Sequence, residues 1–253
     1  MSKEQTKHKV QMNRLLSEIL DDKELAVSVF FKGGTCAKML GFLDRFSVDL
    51  DFDLSEKADK KKLRKKLHQI FKVLDLEIKD ESADALQFFL KYSTPKGNSS
   101  RNTIKLEILD KIYSSNEYKP RYINEIGRTA VCQTIETMFS HKLIAPMDRY
   151  ESYGKLAGRD IYDIHYFFLQ EYSYNPEIIK ERRGVSLLEH LKSLEQFINE
   201  KVTIKVIEED INTLLDYEKF SKIRKHLKLE LLNYVKAEIK SLENYSEKDT
   251  LKK

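Results

Sequence analysis

Near the start of the chain, Val10, Met12, Leu15, Leu16, Ile19 and Leu20 recur at mostly helical spacing, which predicts an amphipathic helix over residues 3–20. The pattern then changes. Residues 27–31 form a mostly apolar run, the signature of a buried strand, and the run stops at Gly33 and Gly34. Residues without a Cβ let the backbone turn tightly there and approach a ligand closely. Thr35 is expected to cap a short helix over residues 36–43. Beyond a bend at Asp44 and Arg45, Phe46, Val48, Leu50, Phe52 and Leu54 alternate with Ser47, Asp49, Asp51 and Asp53, which is strand periodicity with three acids on one face.

A strongly basic helix follows, KADKKKLRKKLHQIFKVL, with Leu63, Leu67, Ile70 and Phe71 on one face and lysines opposite. Such a charge run reads first as a solvated face, and second as a landing surface for an RNA backbone. Residues 74–79, 85–92 and 102–109 read as strands, the last two separated by the turn chemistry of STPKGNSS, for a mixed sheet of about five strands. From Cys132 the period becomes helical, with Ile135, Met138, Phe139, Leu143 and Ile144 on the apolar face. Residues 150–156 read as a loop, and Gly158 begins the next helix. Helical segments follow over residues 176–183, 185–198, 208–215 and 217 to about 242, and the final EKDTLKK is expected to fray. The class is therefore α+β, a mixed sheet with flanking helices followed by a C-terminal helical bundle, divided into residues 1–130 and 131–253.

Composition narrows this picture only a little. A chain of 253 residues with 41% hydrophobic residues is globular rather than disordered, and 45 Lys and Arg against 41 Asp and Glu give +4, a balance that permits nucleic-acid contact. Cys36 and Cys132, both placed on predicted helices, lack metal-ligand spacing and read as buried free thiols. The N-terminal stretch carries charge throughout, and no segment approaches the roughly 18 apolar residues of a membrane span. A cytoplasmic chain without membrane contact is expected.

The chemistry concentrates between residues 30 and 54. Backbone N–H groups at a glycine turn leading into a helix attract phosphate, which marks Gly33, Gly34 and Thr35. Asp49 and Asp51 stand two apart on a strand, so both project from one face and can hold a hard divalent cation, in the way magnesium is bound by one or two carboxylates together with substrate phosphates.

Gly-Gly-Thr, a short helix and then Arg-Phe-Ser-x-Asp-x-Asp resemble the signature of the nucleotidyltransferase superfamily, in detail the AbiEii/AbiGii toxins of bacterial abortive-infection and toxin–antitoxin systems. HKLIAPMDR (residues 141–149) and GRDIYDI (residues 158–164) resemble that family's Lys-Leu-x-Ala with a following Arg, and its Arg-Asp-x-x-Asp. The resemblance covers the first two thirds of the chain. It implies a nucleotidyltransferase-like sheet and in-line attack by a hydroxyl on the α-phosphorus of a nucleoside triphosphate, with two magnesium ions, or manganese, as cofactor. It further implies Asp49 and Asp51 as metal ligands, with Glu107 as the third acid and Asp110 as the second choice. Lys142 would be a cation facing the triphosphate, with Asp160, rather than Asp163, holding Lys142 or Arg159 in place or orienting the attacking hydroxyl. Catalysis is thus expected from Asp49, Asp51, Lys142 and Asp160, and nucleotide binding from Gly33, Gly34, Thr35, Lys142 and Arg159. The helical region would contribute Lys142 and Asp160 to the site.

Toxins of the family imply an RNA acceptor, the 3′ end of tRNA, with a block of translation, a role in phage defence and a cognate antitoxin. The alternatives are a protein-modifying nucleotidyltransferase, an inactive nucleotide- or RNA-binding relative, and a glycosyltransferase using Asp-x-Asp. The Gly-Gly-Thr turn and the later Lys and Arg-Asp segments argue against the glycosyltransferase.

Overall fold

The computed structural model describes residues 2–94 and 102–250. Most of the turn expected in STPKGNSS and the last residues of EKDTLKK lie outside them. The chain divides into two compact units, Met1–Ile112 with Asn116–Thr134, and Tyr113–Ser115 with Ile135–Lys253.

The first unit holds α1 (Lys3–Asp21), α2 (Lys23–Ser28), β1 (Val29–Lys32), α3 (Gly33–Met39), β2 (Asp49–Leu54), α4 (Lys60–Val73), β3 (Glu77–Glu81), β4 (Leu86–Lys91), β5 (Thr103–Leu109), β6 (Tyr118–Ile123) and β7 (Arg128–Gln133). Among the described residues the strands form one seven-stranded sheet in the order β3-β4-β5-β2-β1-β7-β6. β1 runs antiparallel to β2 and parallel to β7, and β2 runs parallel to β5, so the sheet is mixed, as expected. It has two strands more than the expected five. β6 is an edge strand whose Lys119, Pro120, Arg121 and Tyr122 are exposed, so it shows no apolar alternation, and an edge tolerates the proline. Its partner β7 carries Cys132, which is buried in the sheet beside Phe31 and not on a helix. Both cysteines are buried free thiols.

Two local expectations are corrected, and the basic helix gains detail. The apolar run at residues 27–31 is split, because Asp22 accepts hydrogen bonds from the Glu24 and Leu25 amides and starts α2, which takes Val27 out to the surface. β2 begins at Asp49 rather than Phe46, where pairing with β5 begins. The basic face of α4 is laced with ion pairs: Lys60 to Asp110, Lys62 to Glu24 at 2.7 Å, Lys66 to Asp22 at 2.7 Å and Arg64 to Glu81 at 3.5 Å. Its opposite face buries Leu63, Leu67, Ile70 and Phe71, as the periodicity indicates.

The second unit is helical: α5 (Ile135–Tyr153), α6 (Gly158–Leu169), α7 (Pro176–Arg183), α8 (Leu187–Lys201), α9 (Ile204–Ile211), α10 (Tyr217–Ile223) and α11 (Leu227–Thr250). α5 runs on through part of the expected loop. α9 starts earlier than expected because Thr203 caps it, and the long final segment is two helices, with Arg224 at the break pairing with Glu208 at 2.9 Å. Phe139 lies edge-on to Phe167, Phe168 and Tyr174 at centroid distances of 5.3, 4.9 and 5.5 Å, so these aromatics are core, not a stacking platform. No described helix is long and apolar enough to cross a membrane.

Gly158 fixes how α6 meets α9. A Cβ at this position would stand 2.5 Å from the Val206 carbonyl oxygen and 2.7 Å from Ile207 Cα, both backbone atoms that move only with their helix. Gly158→Ala is therefore expected to lower stability by about 1–3 kcal/mol through overpacking, measured by urea denaturation. An unchanged midpoint would show that α9 yields at no cost.

Candidate active site

The sheet unit builds its site at the step from β1 into α3. Gly33 has φ of +76°, a conformation L side chains rarely adopt, and a Cβ there would lie 2.5 Å from Asp51 Oδ2. Glycine is thus required twice, by the backbone and by the carboxylate that occupies the space. α3 starts at Gly33 with Lys32 as its N-cap residue, so Thr35 lies within the first turn and does not cap the helix. The Thr35 hydroxyl instead donates to the Asp49 carbonyl and lies 3.0 Å from Ser47 Oγ, tying the helix start to the start of β2. A Cβ on Gly34 would meet Arg45 Nη2 and Ser47 Oγ, each at 3.0 Å. Arg45 is 3% exposed and donates to the Phe46 carbonyl. Arg-Phe-Ser therefore serves as the bed on which the glycine turn rests.

Pairing across the sheet sets Lys32, Asp51, Glu107 and Gln87 in one row over β1, β2, β5 and β4. Directly paired residues share a face, so these side chains lie side by side. Burial, then the charges of Asp49 and Glu107, push the Asp51 carboxyl up to about 6, and Lys32 and Lys105 offset this only in part. Glu107 accepts hydrogen bonds from Gln87 and, at 2.9 Å, from Lys105. Asp110 lies beyond the end of β5, exposed and ion-paired with Lys60, whose hydrogen bond holds its carboxyl below the ordinary value.

Two residues on from Asp51, Asp53 has the opposite environment. It is 1% exposed, and Lys32 at 2.5 Å, Tyr118 at 2.7 Å and Gln133 at 2.7 Å all donate to it. Burial and the Asp53 charge push the Tyr118 hydroxyl well above its usual value.

The helical unit carries a second cluster. Lys142 bridges Asp160 and Asp163, each at 2.8 Å, and Arg149 reaches the other Asp160 oxygen at 3.0 Å. The α5 sequence offers Lys142 no acid one turn away, but its partners come from α6. Burial works against ionisation of Asp160, and Lys142, Arg149 and Arg159 together override it, holding the carboxyl well below the usual range. Asp163, set aside on sequence, grips the ammonium as closely as Asp160 does. The Arg159 amide faces Asp210 at 3.5 Å.

Magnesium suits the first cluster by donor chemistry. Its oxygen ligands are hard, and Asp51 keeps a proton at a raised pH because it is buried and, second, because Asp49 and Glu107 stand beside it. Among the described residues, no three His, Cys, Asp or Glu side chains enclose a metal unaided. Asp49 and Asp51 are the residues that would hold it.

The family profile described as nucleotidyl transferase AbiEii toxin, type IV toxin–antitoxin system, matches residues 14–237. The chain belongs to the AbiEii nucleotidyltransferase toxins. It is thus an NTP-using nucleotidyltransferase toxin, and membership of a toxin–antitoxin family implies a cognate antitoxin. The AbiEii chain resembles JHP933 from Helicobacter pylori, with a TM-score of 0.65 and 22% identity over 100% of both chains. A putative nucleotidyltransferase from H. pylori gives 0.63 and 22% over 97% of this chain and 99% of that one. The nucleotidyltransferase toxin MenT4 from Mycobacterium tuberculosis gives 0.53 and 13% over 92% and 84%. At these identities the likeness is one of fold. No curated protein matches the AbiEii chain.

The raised Asp51 carboxyl has a measurable consequence for this chain. An unfolded Asp releases its proton near 3.8, whereas the folded one holds it until about 6. In that window the native state binds more protons than the unfolded state, so this group's contribution to stability falls as pH rises through it, by on the order of 2–3 kcal/mol. Asp51→Asn is expected to be more stable than the wild type above about pH 7 in metal-free buffer, with the advantage vanishing near pH 4. Denaturant titrations at the two pH values test this. An equal difference at both would show that the Asp51 carboxyl is not raised.

Proposed function

We propose that this toxin transfers a nucleoside monophosphate from an NTP to the 3′ end of tRNA, in a magnesium-dependent reaction that blocks translation. The observation that carries the reading is Asp51, whose carboxylate lies against the Gly33 turn in the field of Asp49 and Glu107. A site with excess negative charge beside backbone donors suits a substrate that brings phosphate and metal together.

In this reading the amides of Gly33, Gly34 and Thr35 hold the β and γ phosphates. Asp49 and Asp51 hold the metal, and Glu107 adds its charge beside them. Magnesium, when bound, acidifies the attacking hydroxyl and stabilises charge on the leaving oxygen. The acceptor hydroxyl attacks the α-phosphorus in line, and pyrophosphate departs. Asp51 is ionised at neutral pH, as a metal ligand must be. Within the helical unit, the family resemblance gives Lys142 the role of a phosphate-facing cation. Asp160 and Asp163 fix it, and Arg149 and Arg159 share the Asp160 charge.

The RNA acceptor rests on the family resemblance. Much of the α4 charge is spent in ion pairs, while Lys57, Lys61, Lys65 and Lys72 stay exposed for a phosphate backbone. The test is to incubate the protein with each α-labelled NTP, magnesium and total bacterial RNA, then resolve RNA from protein. Label is expected on RNA of tRNA size with one preferred nucleotide, and Asp51→Ala and Lys142→Met are each expected to lose about 10²–10³-fold in rate. Label on polypeptide would replace the RNA acceptor with a protein. Transfer retained in Asp51→Ala would remove the metal site from this strand.

A further inference from the structure

The Lys32–Asp53–Tyr118–Gln133 cluster has no part in the chemistry assigned above. It joins four neighbouring strands of the sheet unit. Lys32 ends β1 immediately before the glycine turn, Asp53 lies on β2, and Tyr118 and Gln133 stand opposite one another on β6 and β7. Asp53 is saturated, with Lys32 on Oδ1 and both Tyr118 and Gln133 on Oδ2. Tyr118 is itself fixed, its ring 4.6 Å from that of Phe30 and its hydroxyl accepting from Asn116 at 3.1 Å.

A buried ion pair contributes little stability compared with apolar side chains of the same volume, so its presence calls for another reason. The arrangement supplies one. Lys32 is 18% exposed and so is not sealed in with Asp53. Its ammonium has three donors, and Asp53 takes one of them. Lys32 pairs in register with Asp51, the carboxylate lying against Gly33. The other cation acting on Asp51, Lys105, is already bonded to Glu107. Lys32 is therefore a cation next to the glycine turn, and its reach is set by a carboxylate that two further donors, Tyr118 and Gln133, hold still.

We infer that Lys32 is a phosphate-binding residue of the nucleotide site, and that Asp53, Tyr118 and Gln133 are positioning residues that hold its ammonium beside the Gly33–Thr35 turn. The inference rests on the reading of that turn as the phosphate site. It adds to the nucleotide set a side chain that the Gly-Gly-Thr motif does not include. It also gives the third acid of the β2 face a task distinct from metal binding.

Calorimetric binding of non-hydrolysable α,β-methylene NTP analogues with magnesium tests it. Lys32→Met alone would strand a buried carboxylate, so the decisive variant is Lys32→Met with Asp53→Asn, which removes both charges together. That variant is expected to fold with near wild-type stability and to bind the preferred analogue about 10- to 100-fold more weakly, the loss of one charge-assisted contact. Lys32→Arg is expected to recover most of the affinity. Tyr118→Phe frees one Asp53 oxygen bond while keeping the ring, and is expected to raise the KM for NTP several-fold with kcat unchanged. Binding within twofold of wild type in the folded double variant overturns the inference. Should that variant not fold, an unchanged KM in Tyr118→Phe overturns it instead. Asp51→Asn is the reference: if it abolishes magnesium-dependent binding while the double variant does not, the Lys32 inference fails and the site stands. If neither weakens binding, the nucleotide does not bind at this turn.

Discussion

The sheet unit depends on one close approach, Asp51 Oδ2 lying where a Cβ on residue 33 would stand. With φ of +76° at that residue, the chain can leave β1 and enter α3 at once, only because both the conformation and the volume are available to glycine. The rest of the local structure answers to that step. Thr35, already inside the first turn, ties to Asp49 and Ser47, and Arg45 lies against Gly34, so the return loop is closed onto the turn it came from. β1 and β2 then pair with Lys32 opposite Asp51, which carries the carboxylate back to the glycine.

Asp51 and Asp53 show how one strand uses the same side chain in two ways. They stand on the same face, two residues apart. Asp53 is buried with three donors, so its charge is fully met. Asp51 is pushed up to about 6 by burial first and then by the charges of Asp49 and Glu107. A fold selected for stability alone would not leave a carboxyl in that state. Lys32 and Lys105, the bases that act against this shift, are each already bonded to an acid, which leaves room for a further cation.

The elements with strong period were legible in the sequence, and so was the step from strand to glycine turn to helix. Asp49 and Asp51 were readable as a pair because strand alternation fixes their face without any knowledge of neighbours. Glu107 was a weaker choice over Asp110 until the β2–β5 register set it beside Asp51. What stayed hidden depends on contacts between distant segments. β6 has mostly exposed polar residues and a proline, so nothing in its own pattern marks it as a strand; it forms because β7 pairs with it. Lys142 looked unpartnered along α5 because its acids come from α6. Thr35 looked like a cap because threonine before an apolar segment usually is one, and here the carbonyl of Asp49 takes the hydroxyl instead.

The two clusters differ in how they stand without a ligand. In the helical unit, Asp160 and Asp163 face Lys142 and Arg149, two acids against two bases at hydrogen-bond distance, and the Asp160 carboxyl is held far down by them. That cluster meets its acids with bases as it stands, so its lysine is already ordered. The cluster on β2 is unbalanced and Asp51 is poised near its titration point. Charge is therefore short on one side only, and it is the sheet unit whose electrostatics a bound cation would complete.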